Sequence, residues 1–286
     1  MTTLSVIRWA ALLPLALLAT ACAQQDDGVG DAGPATPTYP SDAVVLRIEQ
    51  TGGFVTPAAA VTRLPIVTVY GDGRMITQGP TVLVYPGPAL PNVQVTDLDA
   101  GQVEQLAERA RAAGVGSAGD LGSPQVTDVP ATRFTLRGAV GVEETTVEAL
   151  NVPGSDTGLT AEQQAARKKL RDFAASVPDL ALESGAKTQP YRPTAVAAVA
   201  EPWVANDGAG KQDEVAWPGP DLPGKPVGTT GLSCVTVNGE QVPRLLDAAA
   251  TANAATPWTS GGKRWTVTLR PLLPDETGCG DLTSAR

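Results

Sequence analysis

The segment 65–79 has the sequence PIVTVYGDGRMITQG, and it restricts the fold more than any other stretch of the chain. Two runs rich in β-branched residues flank Asp72-Gly73, a pair that tolerates positive φ in tight turns. The pattern predicts a β-hairpin, and hence antiparallel sheet. Similar runs predict further strands at 43–50, 81–86, 93–96, 131–138, 143–151, 194–203, 232–239 and 263–274.

Two segments place apolar residues at helical spacing instead. The first is predicted to begin after Asp99, which forms a capping pattern with Gln102, and to end at Gly114. The second is predicted to begin at Thr160, with Gln163 as its capping partner. The polar face of this second helix is expected to be solvated. That face carries Arg167, Lys168, Arg171 and Asp172.

A third helix is predicted at 240–253, EQVPRLLDAAATAN, with Pro243 in the first turn, where proline is tolerated. The first and third predicted helices resemble each other in sequence. Each begins near a Gln-Val pair and is followed, after a loop, by a strand that contains Arg-aromatic-Thr: GQVEQLAERARAAG precedes TRFTLR, and EQVPRLLDAAATAN precedes KRWTVTLR. The similarity is either a weak internal repeat or chance. It favours helix-on-sheet units, so the predicted fold class is α+β: a mainly antiparallel sheet with two or three amphipathic helices packed on it.

The chain has three cysteines. Cys234 and Cys279 lie together in the C-terminal part, and we expect them to pair and clamp a C-terminal strand-helix-strand unit. Export to an oxidising compartment permits such a bond. The pairing leaves Cys22 over, and an odd thiol in an exported protein needs a use.

Residues 1–21 have the layout of a secretory signal. A cationic start at Arg8 is followed by an uncharged run that is too short for a permanent membrane helix. The small residues Ala-Thr-Ala then precede Cys22. An ordinary signal peptidase cutting there would leave Cys22 as a free N-terminal thiol.

LATAC (18–22) resembles the bacterial lipobox, with Ala19 where leucine is more usual. In that family the cysteine sulfur receives a diacylglyceryl group before cleavage, and acyl chains such as palmitate hold the protein on the membrane. The resemblance implies that Cys22 is lipidated and that the protein sits at the outer face of the cytoplasmic membrane. Two or more acyl chains make a stable anchor. Residues 22–42, with almost no apolar content, are expected to form a disordered tether.

Composition excludes several classes of function. Removal of residues 1–21, whose only charged side chain is Arg8, leaves 265 residues with a formal charge of −10. Such an acidic chain is not expected to bind nucleic acid, because phosphates repel it. The chain has no histidine, which removes Ser-His-Asp and Cys-His catalysis and His-ligated zinc. We therefore predict no catalytic residues of these types and no cofactor.

The mature chain is long enough for one large domain or two small ones. We predict an α+β domain over 43–204, a Pro/Gly-rich loop or linker over 205–230, and a C-terminal unit over 231–286. The last unit either stands alone or packs on the same core.

Two short motifs match known sites by letter alone. GVGSAG (114–119) has dinucleotide-binding spacing, but a helix precedes it and none follows, so it is interpreted as a helix stop. SGAK (184–187) matches S-x-x-K, but it lies past a helix end and lacks its companion motifs.

NDGAGKQDE (206–214) offers hard oxygen ligands for calcium, with a solvated loop as the alternative. The candidate ligands are Asn206, Asp207, Asp213 and Glu214. Four of the five tryptophans fall in the C-terminal third, where they either fill the core, the interpretation we favour, or bind sugar rings or a partner.

Paired acids could support glycoside hydrolysis, which needs two carboxylates across a cleft. The sequence places no two of the candidates opposite each other. They are Glu143, Glu144, Glu183, Asp275 and Glu276.

LRIEQTGGFVTP, LPIVTVYGDGRMI and RPLLPDETGCG, with the capped helix between them, resemble uncharacterised secreted or lipid-anchored proteins of actinobacteria. The resemblance covers most of the mature chain and implies the location and the fold unit, without site residues. We prefer a non-catalytic binding or structural role on the envelope, with an envelope protein or glycan as partner. The alternatives are a carboxylate- or calcium-dependent hydrolase of wall material, which two cleft-facing acids would favour, and an inhibitor or binding module that exposes the loop RPLLPDETGC.

Overall fold

The computed structural model describes residues 39–282, apart from residues 118, 139 and 184. The predicted signal segment, Cys22 and most of the predicted tether lie outside the described residues. Within the described part, Tyr39 packs partly buried against the core of the first sheet, and Asp42 forms an ion pair with Arg74.

The described residues form four α-helices and thirteen strands. The helices are α1 (Pro57–Thr62), α2 (Ala100–Ala113), α3 (Ala161–Glu183) and α4 (Gln241–Ala250). The strands are β1 (Val44–Gly52), β2 (Val67–Tyr70), β3 (Arg74–Gln78), β4 (Val93–Asp97), β5 (Pro130–Arg137), β6 (Val142–Glu148), β7 (Thr188–Pro190), β8 (Ala195–Pro202), β9 (Val215–Ala216), β10 (Lys225–Pro226), β11 (Ser233–Asn238), β12 (Trp258–Ser260) and β13 (Lys263–Pro271).

The strands make two sheets, in the orders β6-β5-β1-β2-β3-β4-β7 and β10-β11-β8-β13-β12-β9. Every pair of neighbouring strands is antiparallel except β9 and β12. The predicted α+β class with mainly antiparallel sheet is confirmed. The strand β8 pairs with β11 and β13, so it belongs to the sheet of the C-terminal part of the chain.

The predicted hairpin is confirmed as β2 and β3, which turn at Asp72-Gly73. Gly73 has φ 92°, and a Cβ there would lie 2.1 Å from the carbonyl oxygen of Leu98. Glycine alone meets both requirements. Asp72 closes the turn by accepting hydrogen bonds from the backbone and the guanidinium of Arg74.

The helix ends are also those that the sequence predicts. Asp99 and Gln102 form a reciprocal capping box at α2, and Gly114 ends that helix with φ 108°. Thr160 and Gln163 exchange the same two hydrogen bonds at the start of α3. The helices α2 and α3 contribute apolar residues to one core with the first sheet, including Leu106, Phe134 and Leu170, all fully buried.

The second sheet is covered on both faces. The strand β8 reads AVAAVAEP and is buried almost throughout. Its Val196, Ala198 and Ala200 face α4 and a tryptophan-rich core. Ala197 and Val199 face the opposite way, toward a cluster that includes residues of α1 and Leu282. The helix α1, which lies between β1 and β2 in the chain, therefore packs on the second sheet and not on the sheet that contains β1 and β2.

The two helix-strand units that resemble each other in sequence differ in topology. The helix α2 connects β4 to β5, two strands separated in the sheet by β3, β2 and β1. The helix α4, with β12 after it, leads from β11 to β13, which are separated by β8 alone. The local helix-on-sheet pattern recurs, while the strand order around it does not.

The prediction of a strand at 81–86 is wrong. Gln78 of β3 pairs with Val93 of β4, so the segment between them is a loop that joins two paired strands. Pro80 and Pro86 bracket the run, and proline cannot donate to a strand ladder. The loop is exposed, with Leu83 fully accessible and Tyr85 68% accessible.

The prediction of a solvated polar face on α3 is wrong for Arg167, whose side chain is fully buried. It donates to Asp156 at 2.5 Å and to the carbonyl oxygen of Glu148 at 2.8 Å. The loop that follows β6 folds back over this part of the helix, which the helix sequence alone cannot indicate. Lys168 and Asp172 are exposed, as predicted.

Candidate functional site

The predicted disulfide between Cys234 and Cys279 is present. It joins β11 to a short 3-10 turn at Cys279–Leu282, and so fixes the segment that follows β13. In that segment, Leu272 and Leu273 are buried, and so is Glu276. The loop RPLLPDETGC is therefore held down along most of its length.

A buried ion pair lies at the base of this loop. Both guanidinium nitrogens Nη1 and Nη2 of Arg270 donate to the carboxylate of Glu276, and both side chains are almost completely buried. The same carboxylate accepts a hydrogen bond of 2.8 Å from the backbone N–H of Leu273. Glu276 thus closes a turn of the chain, which explains its burial.

Asp275 joins the loop to the first sheet. Nη2 of Arg47 on β1 donates to both carboxylate oxygens, at 2.8 and 2.9 Å. The hydroxyl of Tyr70 on β2 donates to the same carboxylate at 2.7 Å. Burial and then the Asp275 carboxylate raise the pKa of Tyr70 above its ordinary value. The acid that looked available for catalysis is engaged by a cation and a phenol.

The remaining acid candidates are not brought into a described cleft. Glu143 and Glu144 are exposed on β6, and the side chain of Glu183 lies outside the described part. Asp275 and Glu276 are the two acids that the structure places close together, and both serve the fold.

Of the four calcium candidates, Asn206 and Glu214 make contacts within the protein, and Asp207 and Asp213 are exposed. Asn206 caps the 3-10 turn by accepting from the N–H of Gly208, and its amide donates to the hydroxyl of Tyr85 at 2.6 Å. Glu214 lies 3.8 Å from Arg264. Within the described residues, no three acidic or cysteine side chains converge so that they could hold a metal ion.

GVGSAG is the helix stop that the sequence predicts, and the N–H of Gly116 donates to the hydroxyl of Thr145. Ser184 of the S-x-x-K match lies outside the described residues. Three of the four C-terminal tryptophans, Trp217, Trp258 and Trp265, are buried in the core of the second sheet, as the core interpretation predicts, whereas Trp203 is only partly buried.

One cavity brings together polar groups that no motif predicted. It has a volume of about 480 Å³ and lies between the end of β1, the segment 55–64 and the loop 227–230, with Leu282 on its wall. Pockets of this size accommodate small molecules. We call it the β1 cavity.

The backbone around Gly52 and Gly53 shapes the β1 cavity. Both residues have positive φ, 64° and 82°, so the chain turns sharply where β1 ends. Thr56 then caps α1, with Pro57 in its first turn. After the helix, Arg63 returns to β1, where its Nη1 donates to the carbonyl oxygens of Gln50 at 3.2 Å and Gly52 at 3.0 Å. Arg63 is thereby fixed on the cavity wall.

Glu49 is the acid that lines the β1 cavity. Its side chain is only 9% exposed, and its nearest cation is Nη1 of Arg133 at 3.9 Å, beyond hydrogen-bond distance. Its carboxylate makes no hydrogen bond within the described residues. Because a buried carboxylate without hydrogen bonds is unfavourable, a ligand that donates hydrogen bonds to Glu49 would gain binding free energy.

The sequence contains two signals for this site, both visible only in hindsight. Leu46 and Ile48 of β1 belong to the core shared with α2 and α3, so the period of a strand puts Arg47, Glu49 and Thr51 on the opposite face. The run TGGFVTP marks a sharp turn before a capped helix. Neither indicates that residues 227–230 and Leu282 will close the space.

Two other depressions carry less chemistry. One, of about 680 Å³, is lined by both cysteines of the disulfide and by four glycines, and it shares Val227 and Gly228 with the β1 cavity. Another, of about 170 Å³, lies between the exposed Tyr85 loop and Trp203. Neither contains a buried charged side chain.

Comparison with protein-family models, with curated proteins and with solved structures found no match to this chain. No helix among the described residues is long and apolar enough to cross a membrane. Function is therefore inferred from the residues of the chain itself.

Proposed function

We propose that this chain is a lipid-anchored envelope protein with a non-catalytic binding role, and that the β1 cavity is its binding site. The single observation that carries the binding role is Glu49, whose side chain is more than nine-tenths buried on the wall of a cavity of small-molecule size and whose carboxylate accepts no hydrogen bond from the described residues.

The anchor rests on the lipobox resemblance of LATAC, and the Cys234–Cys279 bond supports export, because structural disulfides persist in oxidising compartments. Cys22 then has a use that accounts for the odd number of cysteines.

The engagement of the other acids favours binding over hydrolysis. A hydrolase of the paired-acid type needs one protonated acid and one base facing a substrate. Asp275 is held by Arg47 and Tyr70, and Glu276 by Arg270. The first four residues of RPLLPDETGC and Glu276 are buried, which argues against an inhibitor that presents the whole loop; Asp275 and Thr277 are exposed.

The anchor is tested by growing cells with a fatty-acid analogue and comparing the wild-type protein with Cys22→Ser. We expect label on the wild type and on the matched control Ala23→Ser, and none on Cys22→Ser. Label that persists on Cys22→Ser would defeat the anchor.

The binding role is tested by thermal unfolding of the full chain with representative amino acids, short peptides, sugars and inorganic phosphate. At least one class should raise the Tm of the wild type, because a ligand that binds only the folded state stabilises it. Thr229→Trp, which places an indole at the cavity, should lose that shift, while Thr157→Trp on a different loop should keep it. The proposed function would be contradicted if no class of ligand raises the Tm of the wild type. It would also be contradicted if the ligand raises the Tm of Thr229→Trp as much as that of the wild type.

A further inference from the structure

We propose that the β1 cavity binds a small zwitterion with an aliphatic body, that is, a free aliphatic amino acid or a short peptide, with its ammonium group on Glu49 and its carboxylate on Arg63. This inference deepens the proposed function, on which it rests, by naming the class of ligand.

The ammonium end is assigned to Glu49. Its side chain is more than nine-tenths buried, and its nearest cation, Nη1 of Arg133, lies 3.9 Å away, beyond hydrogen-bond distance. An ammonium group offers three donors in any direction, so it suits a carboxylate whose oxygens accept no hydrogen bond from the described residues. Bonds between two charged groups are shorter and stronger than neutral ones.

The carboxylate end is assigned to Arg63. Its Nη1 is used by the carbonyl oxygens of Gln50 and Gly52, which fixes the plane of the guanidinium. Within the described residues, Nε and Nη2 of Arg63 make no hydrogen bond. A guanidinium held in this way can present its remaining N–H groups to a carboxylate, the geometry for which arginine is suited.

Much of the remaining cavity lining is aliphatic. Val55, Val61, Leu64, Val227 and Leu282 line the cavity, together with the polar Thr229 and Thr230. None of the described residues that line it is aromatic, so a sugar would lack the stacking face that sugar sites use. A branched aliphatic side chain would instead bury apolar surface, at about 0.8 kcal/mol for each CH₂ group.

Charge also excludes simple ions. One carboxylate and one guanidinium face the same cavity, so a lone anion meets Glu49 and a lone cation meets Arg63. A ligand that carries both charges can pair with Glu49 through its ammonium group and with Arg63 through its carboxylate.

The test is calorimetric titration of the full-length protein with L-leucine and L-alanyl-L-leucine, and with two blocked analogues. N-acetyl-L-leucine lacks the ammonium, and L-leucinamide lacks the carboxylate. We expect one of the zwitterions to bind, and each blocked form to bind at least about tenfold more weakly, since each loses one charge-assisted contact.

The matched variants test the ammonium end. Glu49→Gln should weaken zwitterion binding about tenfold or more, but it should not weaken binding of N-acetyl-L-leucine, which has no ammonium group to lose a partner. Glu144→Gln, which removes an exposed acid on β6, should bind as the wild type does. Near-ultraviolet circular dichroism checks that each variant is folded.

The outcomes distinguish this inference from the proposed function. If neither zwitterion binds, or if Glu49→Gln binds them as tightly as the wild type, the ligand class is wrong. If a sugar or phosphate then raises the Tm through the β1 cavity, the binding role stands. If no class does so, both fail.

Discussion

Arg270 and Glu276 illustrate how a single pair of residues determines the course of the C-terminal segment. Their charges are both fully buried, and the carboxylate also accepts from the N–H of Leu273. A buried pair of this kind contributes little more to the free energy of folding than well-packed apolar residues would, but the loss of one partner leaves a buried charge without its counter-charge. The pair therefore specifies the turn more than it stabilises the fold.

We predict that Glu276→Ala lowers the free energy of unfolding by about 3–5 kcal/mol, because it leaves the Arg270 charge buried without its carboxylate. Urea unfolding measures the change. Glu214→Ala removes a partner of an exposed pair and should cost about 0–1 kcal/mol. Equal effects of the two substitutions would contradict the structural role of Glu276.

Tyr70 gives a prediction for alkaline pH. Its pKa is raised in the folded protein by burial and by Asp275. The unfolded chain then releases the proton first, near a pKa of about 10, so the stabilisation is complete below that pH and is lost as the pH rises further. We expect the free energy of unfolding, from urea titrations, to fall above about pH 10.

Tyr70→Phe should flatten this fall, whereas Tyr85→Phe, which alters an exposed ring, should not. A wild-type profile that stays level above the ordinary tyrosine pKa would show that the phenol is not buried against Asp275.

At the scale of elements, Asp156 attaches the loop after β6 to α3. Its carboxylate accepts from Arg167 at 2.5 Å and from Arg171 at 2.6 Å. Burial acts to raise the pKa of Asp156, but the hydrogen bonds from Arg171 and Arg167 outweigh it and hold the pKa below its ordinary value. The helix and the loop therefore share one charged group.

Because that pKa is lowered in the folded state, the stabilisation by Asp156 is present above the ordinary aspartate pKa and is lost as the pH falls through the folded value. Asp156→Asn should therefore lower stability at neutral pH and reduce the loss of stability on acidification. Urea titrations at neutral and acid pH measure both effects. Asp172→Asn, on the exposed side of α3, is the control that should leave the acid profile unchanged.

The elements that sequence predicted correctly are those with local causes. The Asp-Gly turn, the Asp99 and Thr160 caps and the Gly114 stop each involve residues within a few positions of one another. The strand predicted at 81–86 fails because β3 and β4 already pair with each other across that segment. Propensity does not say whether a neighbouring strand is available.

The candidate site could not be predicted from the sequence because segments that are distant along the chain close it. Glu49 and Arg63 lie close along the chain, but Val227 and Leu282, which close the cavity beside them, are more than 160 residues further on. Arg167 on α3 is a parallel case, since a returning loop buries a charge that the helical pattern places in solvent. Burial by distant segments is the information that a single sequence lacks.

At the scale of the whole molecule, the Cys234–Cys279 bond is the covalent link between β11 and the segment after β13, with 45 residues of separation. In the chain-entropy model a loop of that length contributes about 4 kcal/mol, by restricting the unfolded chain. We predict that the double substitution of Cys234 and Cys279 by serine lowers the free energy of unfolding by a comparable amount.

Thermal and urea unfolding of the oxidised, reduced and double-serine proteins measure this effect. The reduced and double-serine proteins should unfold at similar, lower midpoints. A double-serine protein as stable as the oxidised wild type would mean that the clamp is dispensable.

The account as a whole depends on Glu49 binding a ligand, and not only pairing with Arg133 within the sheet. The most direct measurement is a pair of crystal structures of the protein, one grown with L-leucine and one with L-alanyl-L-leucine. We predict at least one of the two ligands in the β1 cavity, with its terminal nitrogen about 2.7–3.2 Å from the Glu49 carboxylate. A cavity that is empty at saturating concentrations of both, or a bound ligand whose ammonium points away from Glu49, would contradict the account.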